Sequence, residues 1–209
     1  MKDGLIFDMD GTLWDSSENV AASWTEKIRE LGYDLPDITK KDIMGVMGLT
    51  MDRIADILFG SLPKKERMEL LDKCCDHEND FLRSHGGILY PELENTLIRL
   101  KEKYDLFIVS NCQSGYIEAF LSFYGFEKYF SDIECYGNNL KEKGDNIALV
   151  VERNKLKKAW YVGDIQGDFD AASKAGTGFI HAAYGFGKIK QKVPELEQFS
   201  DLPELLETL

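Results

Sequence analysis

Residues 5–12 read Leu5-Ile6-Phe7-Asp8-Met9-Asp10-Gly11-Thr12 and carry the clearest structural signal in the chain. The apolar half predicts a short buried strand. Positions two apart on an extended chain face the same way, so Asp8 and Asp10 can both project from the carboxyl end of that strand, where open α/β sheets bind ligands. Two carboxylates this close repel each other and need a cation or a proton nearby. A simple Asx turn closed by Gly11 is the alternative interpretation.

Similar apolar runs recur along the chain, and each ends in small or polar residues. The runs are Leu106–Val109, Ile133–Cys135, Trp160–Val162 and Phe179–His181. Continuous apolar strands are typical of a sheet covered on both faces. Helical patterns separate them at residues 92–103, 115–124, 145–153 and 168–175, with Ser114 predicted as an N-cap and with Gly125 and Gly176 at helix ends. Strands alternating with helices predict a Rossmann-like, doubly wound parallel sheet of the α/β class.

One long interval breaks this alternation. Residues 15–85 contain helical stretches, at residues 20–31, 51–59 and 64–82, but no strand pattern. Such an interval is far longer than a usual crossover of about a dozen residues. We therefore predict an α/β core made of residues 1–14 and 86–209, and an inserted helical subdomain made of residues 15–85. The return point, Ser84-His85-Gly86-Gly87, fits either a flexible hinge or a plain turn.

A second acidic pair lies in Gly163-Asp164-Ile165-Gln166-Gly167-Asp168. Asp164 sits at the end of a predicted strand, and Asp168 at the start of the next helix, where a helix-capping role is the alternative. Together with the first pair, four aspartates converge on one edge of the sheet. Hard carboxylate oxygens without His or Cys favour Mg²⁺. The sequence therefore predicts a magnesium site at this edge.

Two more segments follow predicted strands. Ser110-Asn111 offers a hydroxyl, an amide and backbone N–H groups just before a helix, which suits an anion, although a capped turn is the alternative. The segment Lys141-Glu142-Lys143-Gly144 contains two lysines. One of them can reach the acidic cluster while the other faces solvent.

The overall composition limits the classes of function. The chain has 209 residues and a net charge of −12, from 25 Lys and Arg against 37 Asp and Glu. So acidic a chain is not expected to bind nucleic acids or anionic membranes. It has neither an apolar run of roughly 20 residues nor a signal-peptide pattern, so we expect a cytoplasmic protein. The spacing of the cysteines and histidines predicts neither a zinc site nor a disulfide framework. Nothing in the pattern indicates an oligomeric state.

The four segments around Asp8, Ser110, Lys143 and Asp164, in this order and each after a strand, resemble the haloacid dehalogenase superfamily of phosphohydrolases over essentially the whole chain. The helical insert resembles the C1-type cap of the phosphoglycolate phosphatase and β-phosphoglucomutase branch.

The resemblance implies a role for each aspartate. Asp8 is the expected nucleophile, which forms an aspartyl-phosphate, and Asp10 the expected acid and base, which protonates the leaving oxygen and then activates water. The expected Mg²⁺ ligands are Asp8, Asp164 and the backbone carbonyl of Asp10. Asp168 is expected to orient a metal-bound water or the lysine.

The same resemblance implies which groups hold the phosphoryl group. Ser110 and Asn111 match the motif that binds it, and Lys143 would offset its charge. The family lysine commonly precedes a Pro or Gly that leads into a helix, which favours Lys143 over Lys141. We also count Thr12 among the phosphate-binding residues, and we expect it to support the loop that follows the first strand.

In the insert, residues 45–50 correspond to the loop that touches the leaving group in relatives, so Gly48 and Thr50 are predicted to select the substrate. We interpret the neighbouring Met44, Met47 and Met51 as insert core rather than substrate contacts. One departure from the family is Tyr90-Pro91-Glu92 in place of Tyr-Pro-Gly, and it bears on loop shape alone.

We therefore expect a Mg²⁺-dependent phosphatase acting on a small phosphomonoester, either phosphoglycolate-like or a sugar phosphate. A β-phosphoglucomutase-like phosphotransferase is the nearest alternative, and a non-catalytic binding protein on the same fold is the alternative from another class. A dehalogenase is disfavoured because that branch lacks the acid/base carboxylate that Asp10 supplies. Phosphonate hydrolysis is disfavoured because that branch needs a Schiff-base lysine from the cap, and none of Lys27, Lys40 or Lys41 stands out.

Overall fold

A computed structural model describes residues 3–209. These residues contain the strands β1 (Asp3–Phe7), β2 (Trp14–Asp15), β3 (Ile88–Leu89), β4 (Tyr104–Ser110), β5 (Phe130–Cys135), β6 (Ala159–Gly163), β7 (Gly178–Ala182) and β8 (Glu195–Leu196). Six of them form one sheet in the order β5-β4-β1-β6-β7-β8, and all neighbouring pairs are parallel. The predicted α/β class with a doubly wound parallel sheet is confirmed. The two-residue strands β2, β3 and β8 were not predicted, because so short a strand has no periodic signal.

The sheet is buried on both faces, as the continuous apolar runs require. Successive residues of β1 alternate between the two faces, so Leu5 and Phe7 join one hydrophobic cluster and Ile6 joins the other. All three side chains are fully buried. Burial of one such side chain contributes roughly 1.5–3 kcal/mol to the stability of the fold, so β1 stabilises the core on both faces of the sheet.

The described residues also contain ten α-helices. They are α1 (Ser17–Glu30), α2 (Lys40–Val46), α3 (Met51–Leu58), α4 (Lys64–His85), α5 (Leu93–Lys103), α6 (Tyr116–Tyr124), α7 (Tyr136–Asn139), α8 (Lys143–Arg153), α9 (Gln166–Ala175) and α10 (Leu202–Leu206). In the part of the chain that the structure describes, no helix combines the length and apolarity needed to cross a membrane.

The ends of α6 and α9 follow the sequence prediction. Gly125 and Gly176 adopt φ values of 67° and 73°, the left-handed conformation that ends many helices. The predicted N-cap at Ser114 is wrong, because Gly115 precedes the first residue of α6 and no side chain caps it. The backbone carbonyl of Ser114 instead accepts a hydrogen bond of 2.9 Å from Asn79 Nδ2 on α4.

Helices α1 to α4 all fall inside the predicted insert. Where the chain leaves and re-enters the sheet region, β2 and β3 pair antiparallel, with Trp14 opposite Leu89. Trp14 is fully buried, and its ring packs edge-on against the ring of Phe120 with centroids 5.0 Å apart. The connection is therefore a packed ribbon, while the subdomain boundaries at residues 15 and 85 stay a prediction.

The paired glycines after α4 form a turn fixed by contacts. Gly86 has a φ of 64° and donates its N–H to Leu82 O at 2.8 Å, which closes the helix. A Cβ built on Gly86 would lie 2.2 Å from the ring of Phe123. The hydroxyl of Tyr124 bonds both the N–H and the carbonyl of Gly87, at 3.1 and 2.8 Å. These contacts favour the plain-turn interpretation over the hinge.

Strand register sets the position of the acidic motifs. Phe7 on β1 lies opposite Ile108 on β4 and opposite Val162 on β6. The residues one or two positions further along these strands therefore lie side by side at the carboxyl edge of the sheet. They are Asp8 after β1, Ser110 at the end of β4 and Asp164 after β6.

Candidate active site

Three predicted carboxylates lie together at the carboxyl edge of the sheet. Asp8 follows β1, Asp164 follows β6, and Asp168 lies in the first turn of α9. One ligand atom from each of the three falls within 4.8 Å of the others, and all three residues are buried. Asp10 does not belong to this group of carboxylates.

Lys143 is the cation that faces this cluster. It is the first residue of α8, and its Nζ donates a hydrogen bond of 2.6 Å to Asp168 Oδ1. The same nitrogen lies 3.0 Å from Asp8 Oδ1 as an ion pair, without hydrogen-bond alignment. Burial alone would lower the pKa of Lys143, but the two facing carboxylates outweigh it and raise that pKa. Lys141 is exposed, so the structure brings Lys143 and not Lys141 to the acidic cluster.

Asp168 uses both of its oxygens within the protein. While Oδ1 accepts from Lys143, Oδ2 accepts from the backbone N–H groups of Asp164 and Ile165, at 3.0 and 3.1 Å. Asp168 is therefore both a helix-capping residue and a member of the cluster, so the two alternatives of the sequence analysis coexist. Its position fixes the loop that presents Asp164.

The crowding of acids changes their protonation. Burial raises the pKa of Asp8 to about 7, with repulsion from Asp168 adding to the effect and Lys143 opposing it. Burial likewise raises the pKa of Asp164 to about 8, and Asp168 and Asp8 add to the effect. Three buried carboxyls with one lysine form a site that favours an additional cation.

Two glycines allow Asp164 to approach the first loop. A Cβ built on Gly11, whose φ is 81°, would lie 2.2 Å from Asp164 Oδ2. A Cβ built on Gly185 would lie 2.3 Å from Gly11 O and 2.4 Å from Asp164 Cβ. The neighbouring Phe186 donates its N–H to Asp164 Oδ2 at 2.7 Å. Gly11 was predicted from the sequence, but the loop at residues 185–186 was not, because only the fold brings it to the site.

Asp10 has its own, separate environment. Its Oδ1 accepts hydrogen bonds from Ser16 Oγ at 2.6 Å and from Tyr116 Oη at 2.7 Å. Burial of the carboxyl raises its pKa to about 6, although the two hydroxyl donors oppose that effect. Ser16 and Tyr116 were missed by the sequence analysis, because Tyr116 comes from α6, 106 residues along the chain.

The predicted phosphate-binding residues take three different positions. Ser110 is buried at the carboxyl end of β4. Asn111 donates from Nδ2 to Gly48 O at 2.8 Å, and its buried Oδ1 has no partner among the described residues. Thr12 is fully buried, and its carbonyl accepts from Tyr184 Oη at 2.8 Å, a position that suits support of the loop.

The predicted substrate-selecting loop lies between α2 and α3. Gly48 has a φ of 80°, and a Cβ built there would lie 2.4 Å from Ile165 Cδ1, so the loop rests directly on the core. Thr50 lines an outer cleft on the other side of this loop. Met47 and Met51 line an inner cavity, while Met44 is exposed. Met47 and Met51 also pack against the hydrophobic core, so their interpretation as insert core agrees with the structure, whereas that of Met44 does not.

The inner cavity lies between the helical insert and the loops that carry Asp10 and Ser110. It has a volume of about 50 Å³ and includes Trp24 of α1 and Glu78 of α4 in its wall. Trp24 Nε1 donates a hydrogen bond to Glu78 Oε2. Both residues were missed, although one signal was available, since Glu78 interrupts the apolar spacing of Leu71, Cys75 and Leu82 on α4.

The residues at this edge fit a divalent cation of the Mg²⁺ type. The donors are carboxylate oxygens from three buried aspartates, without His or Cys, and Asp8 Oδ1 is a buried atom with no hydrogen-bond partner among residues 3–209. The site carries a surplus of negative charge that a cation would neutralise.

Comparison with known proteins agrees with this geometry. A phosphoglycolate phosphatase from Aquifex aeolicus (strain VF5) is 29% identical over 215 residues, which cover 97% of this chain and 96% of that protein. A phosphoglycolate phosphatase from Vibrio vulnificus (strain CMCP6) is 30% identical over 198 residues, covering 87% and 84%.

Among solved structures, a predicted phosphoglycolate phosphatase from Haemophilus somnus 129PT has the same fold, with a TM-score of 0.82 over 98% of both chains at 22% identity. Residues 5–182 match the family described as haloacid dehalogenase-like hydrolase. The family and the enzyme class expected from the motifs are both confirmed. This chain belongs to the haloacid dehalogenase-like hydrolase family.

Proposed function

We propose that this protein is a Mg²⁺-dependent phosphatase that hydrolyses a small phosphorylated metabolite of the cytoplasm, phosphoglycolate-like or a sugar phosphate, through an aspartyl-phosphate intermediate. The observation that carries the proposal is the pairing of two different carboxyl environments on one loop. Asp8 lies in the acidic cluster beside Lys143, and Asp10 lies outside it, held by two hydroxyl groups. Phosphoryl transfer through an aspartate needs one such nucleophile and one such acid.

In the proposed first step, a carboxylate oxygen of Asp8 forms a bond to phosphorus, and the bond from phosphorus to the substrate's alkoxide oxygen breaks. The ammonium of Lys143, 3.0 Å from Asp8, is placed to offset charge on the phosphoryl oxygens. Ser110, at the neighbouring strand end, supplies a hydroxyl for the same oxygens, and Asn111 an amide from the next position.

Asp10 donates its proton to the leaving oxygen in that step. In the second step it takes a proton from water, whose oxygen attacks the phosphorus and releases Asp8 and inorganic phosphate. A pKa of about 6 suits both directions of transfer near neutral pH, because an acid/base catalyst works best with a pKa close to the operating pH. The hydroxyls of Ser16 and Tyr116 hold the carboxyl in place.

Asp8, Asp164 and the backbone carbonyl of Asp10 would hold the Mg²⁺. Asp168 would orient these ligands through its hydrogen bonds to the loop that carries Asp164. When bound, the ion supplies positive charge that favours the ionised form of Asp8 and balances the incoming phosphate.

Residues 15–85 serve as a cap in this proposal. The loop at Gly48 rests on the core at Ile165 and bonds Asn111, so the described arrangement encloses the space next to Asp10. Enclosure excludes bulk water, which strengthens charge interactions during the reaction. It also limits the leaving group to a compact one.

A panel of phosphorylated metabolites tests the proposal with purified protein and MgCl₂. Phosphoglycolate, sugar phosphates, nucleotides and pyrophosphate are included, and both inorganic phosphate and the dephosphorylated product are measured. We expect Mg²⁺-dependent hydrolysis of a compact monoester that releases one inorganic phosphate for each alcohol formed. The Asp8→Asn variant should release no phosphate. Substantial activity of a verified Asp8→Asn sample, or transfer to a second hydroxyl without phosphate release, would overturn the proposal.

A further inference from the structure

The inner cavity has an unusual chemical lining for an enzyme that handles anionic substrates. It is lined by sixteen residues, of which Asp10 and Glu78 carry carboxyl groups. None of these sixteen residues is Lys, Arg or His. Most of the remaining wall is apolar and includes Trp24, Met47 and Met51.

Glu78 projects from the buried face of α4, and its side chain belongs to the cavity wall. The residue is only 3% exposed. The indole N–H of Trp24 donates to its Oε2, while Gln113, also in the cavity wall, donates from Nε2 to Asn79 Oδ1 at 3.2 Å. The titratable groups that interact with it are Asp10, Tyr116, Cys74 and Cys75, and none of them is a cation. Lys27, which acts on Cys74, pairs with Glu30 at 2.7 Å.

Three cations of the surrounding elements form ion pairs away from Glu78. Lys143 contacts Asp8 and Asp168 on the phosphoryl side. In the insert, Lys40 pairs with Asp15 at 2.8 Å and Arg67 pairs with Asp56 at 2.7 Å.

Arg53 lies on the outer cleft together with Thr50. A carboxylate in the inner cavity would therefore meet two carboxyls and no described counter-charge.

We propose that Glu78 determines the leaving-group specificity of this site, selecting a phosphomonoester whose alcohol carries hydroxyl or ammonium hydrogen-bond donors and no carboxylate. The inference rests on the proposed phosphatase function and narrows its substrate class. Of the two classes expected from sequence, it favours a sugar phosphate over phosphoglycolate, and it adds amino-alcohol phosphates to the candidates.

Two physical features support this selection. The cavity is lined by two acceptor-bearing residues, Glu78, whose Oε2 already accepts from Trp24, and Asn111, whose Oδ1 has no partner among the described residues, so a bound group that brings donors is favoured. A negative charge placed there would be removed from water with no counter-charge among the residues that line the cavity, which is the costly case for a buried ion. Above the pKa of about 8 to which burial raises Glu78, the ionised Glu78 carboxylate would repel it as well. A volume of about 50 Å³ also admits only a compact group.

Three phosphate esters of nearly equal size test the proposal: 2-phosphoglycolate, 2-hydroxyethyl phosphate and 2-aminoethyl phosphate. Assays are run at pH 8.5, above the pKa of about 8 to which burial raises Glu78, so that the ionised form of its carboxyl predominates. We expect kcat/KM for the hydroxyethyl and aminoethyl esters to exceed that for phosphoglycolate at least tenfold. Equal or higher kcat/KM for phosphoglycolate would overturn the proposal.

The Glu78→Gln variant identifies the responsible charge, because the amide oxygen can still accept from Trp24. We expect it to raise kcat/KM for phosphoglycolate at least fivefold relative to the hydroxyethyl ester and to lower kcat/KM for the aminoethyl ester. Glu69→Gln, at an exposed position of the same helix, is the matched control and should change none of these ratios. Unchanged kcat/KM ratios in Glu78→Gln would refute the assignment. A loss of phosphoglycolate activity in Arg53→Ala would also refute it, because it would place the substrate's carboxylate in the outer cleft.

A binding measurement separates this inference from the proposed function. Calorimetry of the three esters with Mg²⁺ and the Asp8→Asn protein ranks their affinities without turnover. If wild type hydrolyses no phosphomonoester, the proposed function fails, and the ranking still decides the inference. Tighter binding of the hydroxyethyl and aminoethyl esters than of phosphoglycolate supports it, whereas any other ranking, or no binding at all, overturns it.

Discussion

The contact between Lys143 and two buried aspartates leads to a quantitative prediction. The side chain of Lys143 is 5% exposed and lies 2.6 Å from Asp168 and 3.0 Å from Asp8. Lys143→Met removes the cation and leaves both carboxylates buried without their partner. Removal of one member of a buried ion pair typically costs about 3–5 kcal/mol. We expect a loss of this size in the free energy of unfolding at pH 8 without divalent metal.

Lys141→Met is the matched control, because Lys141 is exposed. Its backbone N–H bonds to Asn139 Oδ1 and would remain in the variant. We expect a change within about 0.5 kcal/mol, as is usual at surface positions. The two variants therefore compare the two lysines of the same segment directly.

Urea unfolding followed by circular dichroism, with EDTA or with excess MgCl₂, measures both variants. We expect Mg²⁺ to restore part of the stability of Lys143→Met, because a bound cation replaces some of the lost positive charge. Phosphatase activity should be lost in Lys143→Met and kept in Lys141→Met. A stability loss below about 1 kcal/mol in metal-free Lys143→Met, or an activity loss confined to Lys141→Met, would refute the reasoning.

Three further predictions concern the acid, the cavity and the cap loop. Asp10→Asn should slow aspartyl-phosphate formation from an alkyl phosphate by about 10²- to 10⁴-fold and from nitrophenyl phosphate by less, because a nitrophenolate leaving group needs no proton. Equal rate losses for the two substrates in rapid-quench experiments would show that Asp10 has a structural role instead. Burial raises the pKa of Glu78 from 4.5 to about 8, so its protonated form stabilises the fold below pH 4.5 and that contribution is lost as the pH rises towards 8. Glu78→Gln should thus gain a few kcal/mol over wild type between pH 4.5 and pH 8, and a constant difference in urea melts would contradict this. Gly48→Ala should lower kcat/KM several-fold, because its Cβ would meet Ile165, while Gly45→Ala, with open space around that Cβ, should not; equal values for the two variants would exclude closure through this loop.

Much of the fold was predictable because its signals are local. The apolar run Leu5–Phe7 and the glycines Gly125 and Gly176 each report on their own few residues, and the structure places a strand and two helix ends there. Failures occurred where a distant contact decided the outcome. Ser114 is a good N-cap by propensity, yet its carbonyl is bound by Asn79 from the insert, and Gly115 takes the position before the helix.

The candidate site divides in the same way. The positions of Asp8 and Asp164, each directly after a predicted strand, were sufficient to predict that these two carboxyls lie together, because parallel strands present their carboxyl ends at one edge. The spacing could not decide between Lys141 and Lys143, since that depends on which one the start of α8 directs into the core. Nor could it separate the environments of Asp8 and Asp10, which differ through Tyr116 from another helix.

The amino-acid sequence by itself determined the α/β class, the helical interval after the first strand and the aspartates of the site. The hydrophobic period, the spacing of the residues and their order along the chain determine these features, because helix and strand geometry decides which residues share one face of an element or one edge of the sheet. Only the tertiary structure decided that Lys143 faces the cluster, that Gly185 packs against Asp164, and that Glu78 and Trp24, 54 residues apart, meet in one cavity. Such contacts depend on how helices pack against one another, and no local pattern in the sequence encodes that packing.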